Sequence, residues 1–148
     1  MIYLNQGQQN QAAAVCTRNA SLTGGTIVYL WNLQHKLSGR VFNFIPFRLI
    51  PSVTYKPAYD LFCIDIDDSI PQVLTGATQC GQTNVHLIPG EYALTVYQQL
   101  STSNLNPSLS SGIVYQTLVI VDGVNQNNPT VYTGGTDGVF IIYNSDND

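Results

Sequence analysis

Aspartates form the one group in the sequence whose type and spacing suit metal binding. Asp65, Asp67 and Asp68 lie in the segment DIDD. In a β-strand, Asp65 and Asp67 point to the same face about 7 Å apart, so they could share a Ca²⁺ with Asp60 or with loop carbonyls. The glycine and distal glutamate of an EF-hand loop are missing, and a solvated strand end is the competing interpretation. Asp65 and Asp67 are thus the candidate Ca²⁺ ligands.

Histidine and cysteine offer little for catalysis or for zinc binding. His35 lies in a turn-like segment, and His86 lies in an alternating one. Zn²⁺ could in principle be bound by Cys63, Cys80 and His86, but the sequence has no C-x₂₋₄-C pair to anchor the ion. Burial in a β core is the simpler interpretation of all three residues. The sequence has no G-x-S-x-G elbow and no phosphate-binding glycine loop. We therefore expect no enzyme and, apart from the candidate Ca²⁺, no cofactor.

Charge is sparse and unevenly distributed along the chain. Charged residues make up 9% of the sequence, against about a quarter in ordinary soluble proteins. All five Lys and Arg precede residue 60, and all nine Asp and Glu lie at or beyond it. Folding can mix these halves in space, and the alternative is a bipolar subunit that docks against copies of itself. Five scattered cations form no basic patch, so we do not expect nucleic-acid binding.

Cysteine number and apolar patterning bear on the compartment. Cys16, Cys63 and Cys80 are odd in number and widely spaced. We expect free, mostly buried thiols and assembly in a reducing cytoplasm. Residues 1–15 lack the basic and apolar regions of a signal peptide. No apolar run approaches the roughly 18 residues that span a bilayer, so we expect no membrane span.

Alternation of apolar residues with a period of two dominates the chain. In EYALTVY (91–97), Tyr92, Leu94 and Val96 share one face, as in a half-buried strand. TIVYLWN (26–32) and GVFIIYN (138–144) are apolar on both faces, which indicates strands that are buried on both sides or covered by a partner. Only NPSLSSG (106–112) predicts a helical turn, with Asn106 as its cap and Pro107 at its first position. Further strand candidates between turn signals are YLN (3–5), AAVCT (13–17), RVFNFI (40–45), residues 53–67 broken at Pro57, NVHLI (84–88), GIVYQTLVIV (112–121) and TVYT (130–133).

These elements predict a single all-β domain over residues 1–148. The length suffices to bury a core without metal or disulfides. Many short strands separated by turn signals favour an antiparallel β-sandwich of jelly-roll or Ig-like kind. The polar flanks, residues 5–11 and 144–148, are expected to be N- and C-terminal arms that order against a neighbouring subunit.

Residues 90–121 read GEYALTVYQQLSTSNLNPSLSSGIVYQTLVIV. They follow a pattern in which a G-x-Y-x-x-x-[IV]-Y-[EQ]-Q strand precedes a Ser/Thr/Asn tract, an N-L-[DN]-P motif and a second strand after a glycine. The matching positions are Gly90, Tyr92, Val96, Tyr97, Gln98, Gln99, Asn104, Leu105, Asn106, Pro107, Ser111 and Gly112. This pattern resembles that of small virion proteins of phages that infect Bacteroidetes. The two ends of the sequence match such proteins too: the chain opens with M-I-x-L-N-x-[GN]-Q and closes with a pair of strands that read V-Y and V-[YF]-I-x-Y. Residues 40–81 depart from the pattern, because this segment is longer and more apolar.

The resemblance implies a structural protein of the capsid, head surface or tail. We expect a decoration, vertex (penton) or minor capsid subunit that is made in the host cytoplasm and resides in the virion. Its partners would be the major capsid protein or neighbouring structural subunits, together with copies of itself. The uncharged loop between the two strands would then be an interface element, with Leu105, Pro107 and Leu109 as the candidate interface residues.

A carbohydrate-binding or adhesin (spike) domain is the alternative. Nine tyrosines and Trp31 could form a flat platform for sugar rings, and DIDD could hold a stabilising Ca²⁺. Three or more coplanar exposed aromatic rings would favour this alternative. Aromatic rings buried in a core or interface would favour the structural role.

Overall fold

Strands supply nearly all of the regular structure. The computed structural model describes residues 1–22, 25–49, 59–124, 130–132 and 140–142. Within these residues a 3₁₀ turn spans Pro107–Leu109, and no helix is long and apolar enough to cross a membrane. The strands are β1 (Ile2–Asn5), β2 (Gln8–Cys16), β3 (Val28–His35), β4 (Val41–Phe44), β5 (Phe47–Leu49), β6 (Tyr59–Ile66), β7 (Gly90–Gln99), β8 (Ile113–Asp122), β9 (Thr130–Tyr132) and β10 (Phe140–Ile142).

The strands form two large sheets and one small one. One sheet has the spatial order β1-β8-β7-β3-β4, the second has the order β2-β6-β5, and β9 pairs with β10. Every described strand pair is antiparallel except β1 with β8, which run parallel. The prediction of an all-β, largely antiparallel sandwich is confirmed.

The core lies between the two large sheets, where alternate residues of facing strands meet. Trp31 of β3 contacts Phe44 of β4 and Phe62 of β6, with ring centroids 5.8 Å and 5.4 Å apart. Tyr92 and Leu94 of β7 are fully buried on the same side, as the alternation in EYALTVY predicts. Burying one such side chain contributes about 1.5–3 kcal/mol, so this layer supplies most of the stability of the fold.

A disulfide joins β6 to the long connection that follows it. Cys63, on the side of β6 turned away from the core, is bonded to Cys80, and their Cα atoms are 5.4 Å apart. The expectation of free thiols is therefore wrong for these two residues, and Cys16 is the one free cysteine. Spacing along the chain concealed the pair because the connection between β6 and β7 turns back over β6. We use the term covered face for this outer side of the three-stranded sheet, around Cys63 and Asp65.

Asn84 fixes the path of the covering connection. Its buried side-chain amide donates hydrogen bonds to the carbonyl oxygens of Asp67, Ile70 and Pro71 at 2.9, 3.1 and 3.1 Å. Its Oδ1 accepts a hydrogen bond from the Asp67 N–H at 3.0 Å. NVHLI was predicted to be a strand, and this prediction is wrong, because Asn84 makes only isolated bridges. Its side chain binds the neighbouring turn, and the chain does not continue in a sheet.

The structure departs from the sequence pattern at other points too. Residues 5–11, predicted to be an arm, lie at the end of β1 and the start of β2 and so contribute to both sheets. β5 was not predicted, because three residues are too few to show a period. The predicted arm at residues 144–148 and the two-sided burial predicted for residues 138–144 lie outside the described residues and side chains.

Candidate functional site

Two loops leave the sandwich side by side at one end. Val28, the first residue of β3, pairs with Gln99, the last residue of β7. The β2–β3 loop, described at residues 17–22 and 25–27, and the β7–β8 loop (residues 100–112) are therefore neighbours. Residues 92–121 carry no charge at all. These two loops together are termed the loop end.

Gln99 fixes the conformation of the β7–β8 loop. Its side chain is buried, and Nε2 donates hydrogen bonds to the carbonyl oxygens of Ser101 at 2.9 Å and Asn104 at 3.0 Å. Nδ2 of Asn104 donates in return to Oε1 of Gln99 at 2.8 Å. Because both ends of this buried amide are paired within the loop, they stabilise one loop conformation over others.

Gln98 joins the β2–β3 loop to the same strand end. Its buried Oε1 accepts hydrogen bonds from the N–H groups of Ser21 at 2.8 Å and Leu22 at 3.2 Å. The backbone of Gln98 closes the base of the β7–β8 loop, because its N–H donates to Gly112 and its carbonyl accepts from Ser111, both at 2.8 Å. Consecutive strand residues point to opposite faces, so Gln98 and Gln99 each hold one of the two loops.

A capped 3₁₀ turn forms the tip of the β7–β8 loop. Oδ1 of Asn106 accepts a hydrogen bond from the Ser108 N–H at 3.0 Å, and Pro107 occupies the first position. The Ser110 N–H donates to the Pro107 carbonyl at 3.1 Å. The turn predicted in NPSLSSG, with Asn106 as its cap, is confirmed. A proline with fixed φ and a side-chain cap make this tip rigid.

Apolar side chains project from the loop end. Leu109 at the tip is 73% exposed, and Leu100 and Ile113, at the two ends of the loop, are about half exposed. Leu105 and Pro107, the other two predicted interface residues, are partly buried. The structure thus presents Leu109 to solvent beside two apolar residues that were not singled out from the sequence, and the interface itself stays a prediction.

The β7–β8 loop also covers one end of the outer side of the five-stranded sheet. Leu30 and Gln99 point away from the core and are nevertheless fully buried. Leu30 pairs with Tyr97 across the sheet, directly next to the residues that hold the loop. Trp31 is also fully buried, so the burial predicted for both faces of TIVYLWN holds around Leu30 and Trp31, whereas Thr26 is exposed and Asn32 is only partly buried.

The predicted Ca²⁺ ligands Asp65 and Asp67 both bind the start of β2. Oδ1 of Asp65 accepts a hydrogen bond from the N–H of Asn10 at 2.6 Å, at a bulge where Asn10 has a φ of 56°. Oδ2 of Asp67 accepts from Nε2 of Gln9 at 2.9 Å. Hydrogen bonds from Ser69 and then from Gln9 hold the pKa of the Asp67 carboxyl below its usual value. Both carboxylates thus already bind protein donors, and Ca²⁺ binding stays a prediction.

The two described ion pairs join the halves of the chain that differ in charge. Asp60 lies on the opposite face of β6 from Asp65 and pairs with Arg48, Nη2 to Oδ2 at 2.8 Å. Lys36 pairs with Glu91 at 3.4 Å. In each pair the basic residue comes from the first part of the chain, before residue 60, and the acidic residue comes from the second part. Folding therefore mixes the two parts in space.

The candidate zinc ligands have other partners. Cys63 and Cys80 form the disulfide, and Nε2 of His86 lies 2.7 Å from the carbonyl oxygen of Ile70. Cys80 and His86 are partly exposed, so the expectation that all three are buried is wrong for these two. In the described ranges, no three His, Cys, Asp or Glu side chains are grouped to hold a metal ion.

The end of the sandwich opposite the loop end carries a shallow open cleft of about 360 Å³. His35, at its edge, is buried, and Nδ1 accepts a hydrogen bond from the Ser38 N–H at 3.1 Å. Its ring lies 4.8 Å from the ring of Tyr92. Tyr92 in turn donates its hydroxyl to the Ile88 carbonyl at 2.7 Å, and burial raises the pKa of that hydroxyl. These contacts give His35 a part in fixing the β3–β4 turn.

Sequence reasoning missed the part that Gln98 and Gln99 play. The available signal was a pair of consecutive glutamines at the point where the strand ends and a tract rich in Ser and Asn begins. Comparison with known proteins adds no assignment to this geometry, because no family model, curated protein or solved structure matches the chain.

Proposed function

We propose that this chain is a non-enzymatic structural protein of a bacteriophage virion, acting as a capsid-associated decoration, vertex or minor capsid subunit. The observation that carries the proposal is the β7–β8 loop, whose conformation Gln99 fixes and whose tip exposes Leu109. This loop lies within the segment that resembles small virion proteins. The proposal includes synthesis in the host cytoplasm, residence in the virion, and assembly with copies of itself and with other virion proteins. Because Cys63 and Cys80 form a disulfide, cysteine content does not support the cytoplasmic origin, which rests on the resemblance.

The loop end has the properties that favour docking to another protein. A loop held in one conformation loses little conformational entropy on binding. Leu109 and Leu100 offer apolar anchors, and the uncharged Asn and Ser side chains around them can complete hydrogen bonds at the rim. A neighbouring capsid subunit with an apolar depression is the partner that this surface fits.

We further propose that the sandwich is Ig-like and not a jelly roll. The order β8-β7-β3-β4 opposite β2-β6-β5 is that of a variable-type immunoglobulin domain. Trp31 in the third strand and Tyr92, bonded to the Ile88 carbonyl, fit the buried tryptophan and the tyrosine corner of that fold. Leu94 stands where that fold has its second cysteine. In such domains, loops equivalent to the loop end are the recognition loops.

The carbohydrate-binding alternative has less support. Stacking on sugar rings needs a flat group of exposed aromatic side chains. In the described part of the chain the exposed large aromatics are Tyr3, at 63%, and Tyr59, at 54%, and they lie in different sheets. Trp31, Phe44 and Phe62 are buried in the core.

Particles that carry this chain test the proposal directly. Phage from a culture that produces the chain is banded by density and examined by mass spectrometry and by immunogold electron microscopy. We expect peptides of this chain to band with the capsid proteins and the label to lie on the particle. Purified particles without the chain would contradict the proposal.

Two matched variants test the loop end as the docking surface. Leu109→Ser removes the apolar tip of the β7–β8 loop, whereas Leu37→Ser removes a leucine that is 93% exposed at the opposite end. Leu109→Ser is expected to lower the amount of the chain in particles about tenfold, because a central apolar anchor is lost. Leu37→Ser should leave that amount unchanged. An equal loss for both variants would contradict docking through the loop end.

A further inference from the structure

We use the term bare face for the outer side of the five-stranded sheet, whose two central rows are not covered by any segment in the described part of the chain. Every residue of these rows is partly or fully exposed, and no described element packs across them. One row runs from Leu118 through Ala93 to Val41, and the next runs from Gln116 through Thr95 to Asn43.

The bare face carries no charge in these rows. Charged residues lie at the end of the sheet, where Glu91 pairs with Lys36, where Asp122 ends β8 and where Arg40 precedes Val41. The chain has a net charge of −4, so its acidic surfaces would repel a second copy, whereas the bare face would not. A charged partner would find no complementary group here. These properties favour a second copy as the occupant.

The dimensions of the bare face suit a dimer. The five strands lie about 4.8 Å apart and average about seven residues, which at about 3.3 Å per residue gives roughly 550 Å² per copy. Two copies would bury roughly 1,100 Å², which exceeds the roughly 1,000 Å² expected of a specific protein interface. Small side chains at Ala93 and Thr95 would let the two sheets approach to the usual distance of about 10 Å between packed sheets.

We propose that two copies of this chain pair through their bare faces, about a two-fold axis that passes near Thr95. Such a contact is isologous, so the uncharged rows of one copy meet the same rows of the other. Leu118 and Val41, at opposite ends of one row, supply the apolar contacts on either side of the axis. The pairing requires no virion and uses a different surface from the loop end.

Sedimentation equilibrium of the full chain, from micromolar to submillimolar concentration, tests the pairing. We expect a discrete dimer of the wild-type chain. Thr95→Lys places two like charges near the axis and is expected to raise the dimer dissociation constant about 100-fold. Gln116→Lys, at an exposed position of the same row, should weaken the dimer in the same direction without disturbing the fold.

Ala14→Lys is the matched control. Ala14 is an exposed strand residue on the outer side of the other sheet, where it pairs with Leu61. This variant adds the same charge to the chain and should leave the dimer intact. Circular dichroism and thermal melting of each variant establish that the sandwich is folded.

The outcomes separate this proposal from the virion role. A monomeric wild-type chain, or an oligomer that Thr95→Lys and Gln116→Lys weaken no more than Ala14→Lys does, would overturn pairing through the bare face. A dimer that depends on Thr95 but is missing from particles would support the pairing and contradict the virion role. Loss of Leu109→Ser from particles with the dimer intact would support both.

Discussion

On the three-stranded sheet, the outer side around Cys63 and Asp65 is covered by the connection between β6 and β7. That connection is held by the Cys63–Cys80 disulfide and by the buried side chain of Asn84. The bare face of the five-stranded sheet has no such cover in the described residues, except at the end where the β7–β8 loop binds the side chain of Gln99. The described residues thus cover part of one outer side and leave most of the other open.

The difference between the two outer sides relates the low charge content of the sequence to the structure. The central rows of the bare face have no charged side chains, which would make an exposed sheet soluble. Residues 92–121 contain no charged residue at all. Buried polar residues instead hold segments of the chain in place: Asn84 on the covered face, and Gln98 and Gln99 at the loop end. A low charge content is therefore consistent with surfaces that face other proteins.

Removal of the disulfide should have the largest effect on the covered face. The double variant Cys63→Ala, Cys80→Ala releases a cross-link between residues 17 apart in sequence, and should lower the free energy of unfolding by about 3 kcal/mol. Denaturant unfolding measures the loss, and Cys16→Ala, which removes a free thiol, should change stability by less than about 1 kcal/mol. A double variant as stable as the wild-type chain would mean that the disulfide does not hold the covering connection.

Asparagine substitutions compare the two faces directly. Asn84→Ala removes the hydrogen bonds that this buried amide makes with the backbone of Asp67, Ile70 and Pro71, and should cost about 2 kcal/mol. Asn43→Ala, on the bare face, removes only a partly exposed contact with Asn32 and should cost less than about 1 kcal/mol. Denaturant unfolding of both variants measures the difference. Equal costs would mean that Asn84 does not hold the cover.

Gln99→Ala tests the boundary where the loop meets the bare face. Loss of the amide leaves the carbonyl oxygens of Ser101 and Asn104 without their donor, so we expect a loss of about 1.5 kcal/mol. Amide exchange in residues 100–112 should also become faster. Gln116→Ala, at an exposed position of the same sheet, should change stability by less than about 0.5 kcal/mol. Unchanged exchange in Gln99→Ala would argue that the loop is held by other contacts.

Acid should weaken the covered face through Asp67, with the smallest effect. The pKa of this carboxyl is lower in the folded chain than its ordinary value of 3.8, so the charged form stabilises the fold above that pH. The contribution is lost as the pH falls through the folded pKa. Carboxyl NMR should show the depressed pKa directly, and Ser69→Ala, which removes the hydroxyl donor, should raise it toward 3.8. A pKa that Ser69→Ala does not move would contradict this cause.

Local signals in the sequence predicted local structure well. The alternation of Tyr92 and Leu94 reports burial directly, because only one face of β7 meets the core. Asn106 and Pro107 define their turn through contacts within four residues, which a sequence reveals. The fold class followed from many such signals taken together.

Features that depend on distant parts of the chain could not be predicted in the same way. The Cys63–Cys80 pair forms because the connection turns back over β6, and the alternation around Asn84 looks like a strand although its side chain builds a turn. Gln98 and Gln99 bind loops whose positions follow only from the pairing of β3 with β7. The carboxylates of Asp65 and Asp67 bind the bulge in β2, which no local pattern places beside them.

Hydroxyl-radical footprinting at low and high protein concentration tests most directly the claim that the bare face is covered by a second copy. Tyr3 lies on the bare face and is 63% exposed, and Tyr59 lies on the other sheet and is 54% exposed, so the two rings form a matched pair. We predict that oxidation of Tyr3 falls severalfold as the concentration rises while oxidation of Tyr59 stays constant. Equal oxidation of Tyr3 at both concentrations, or equal protection of both rings, would contradict it.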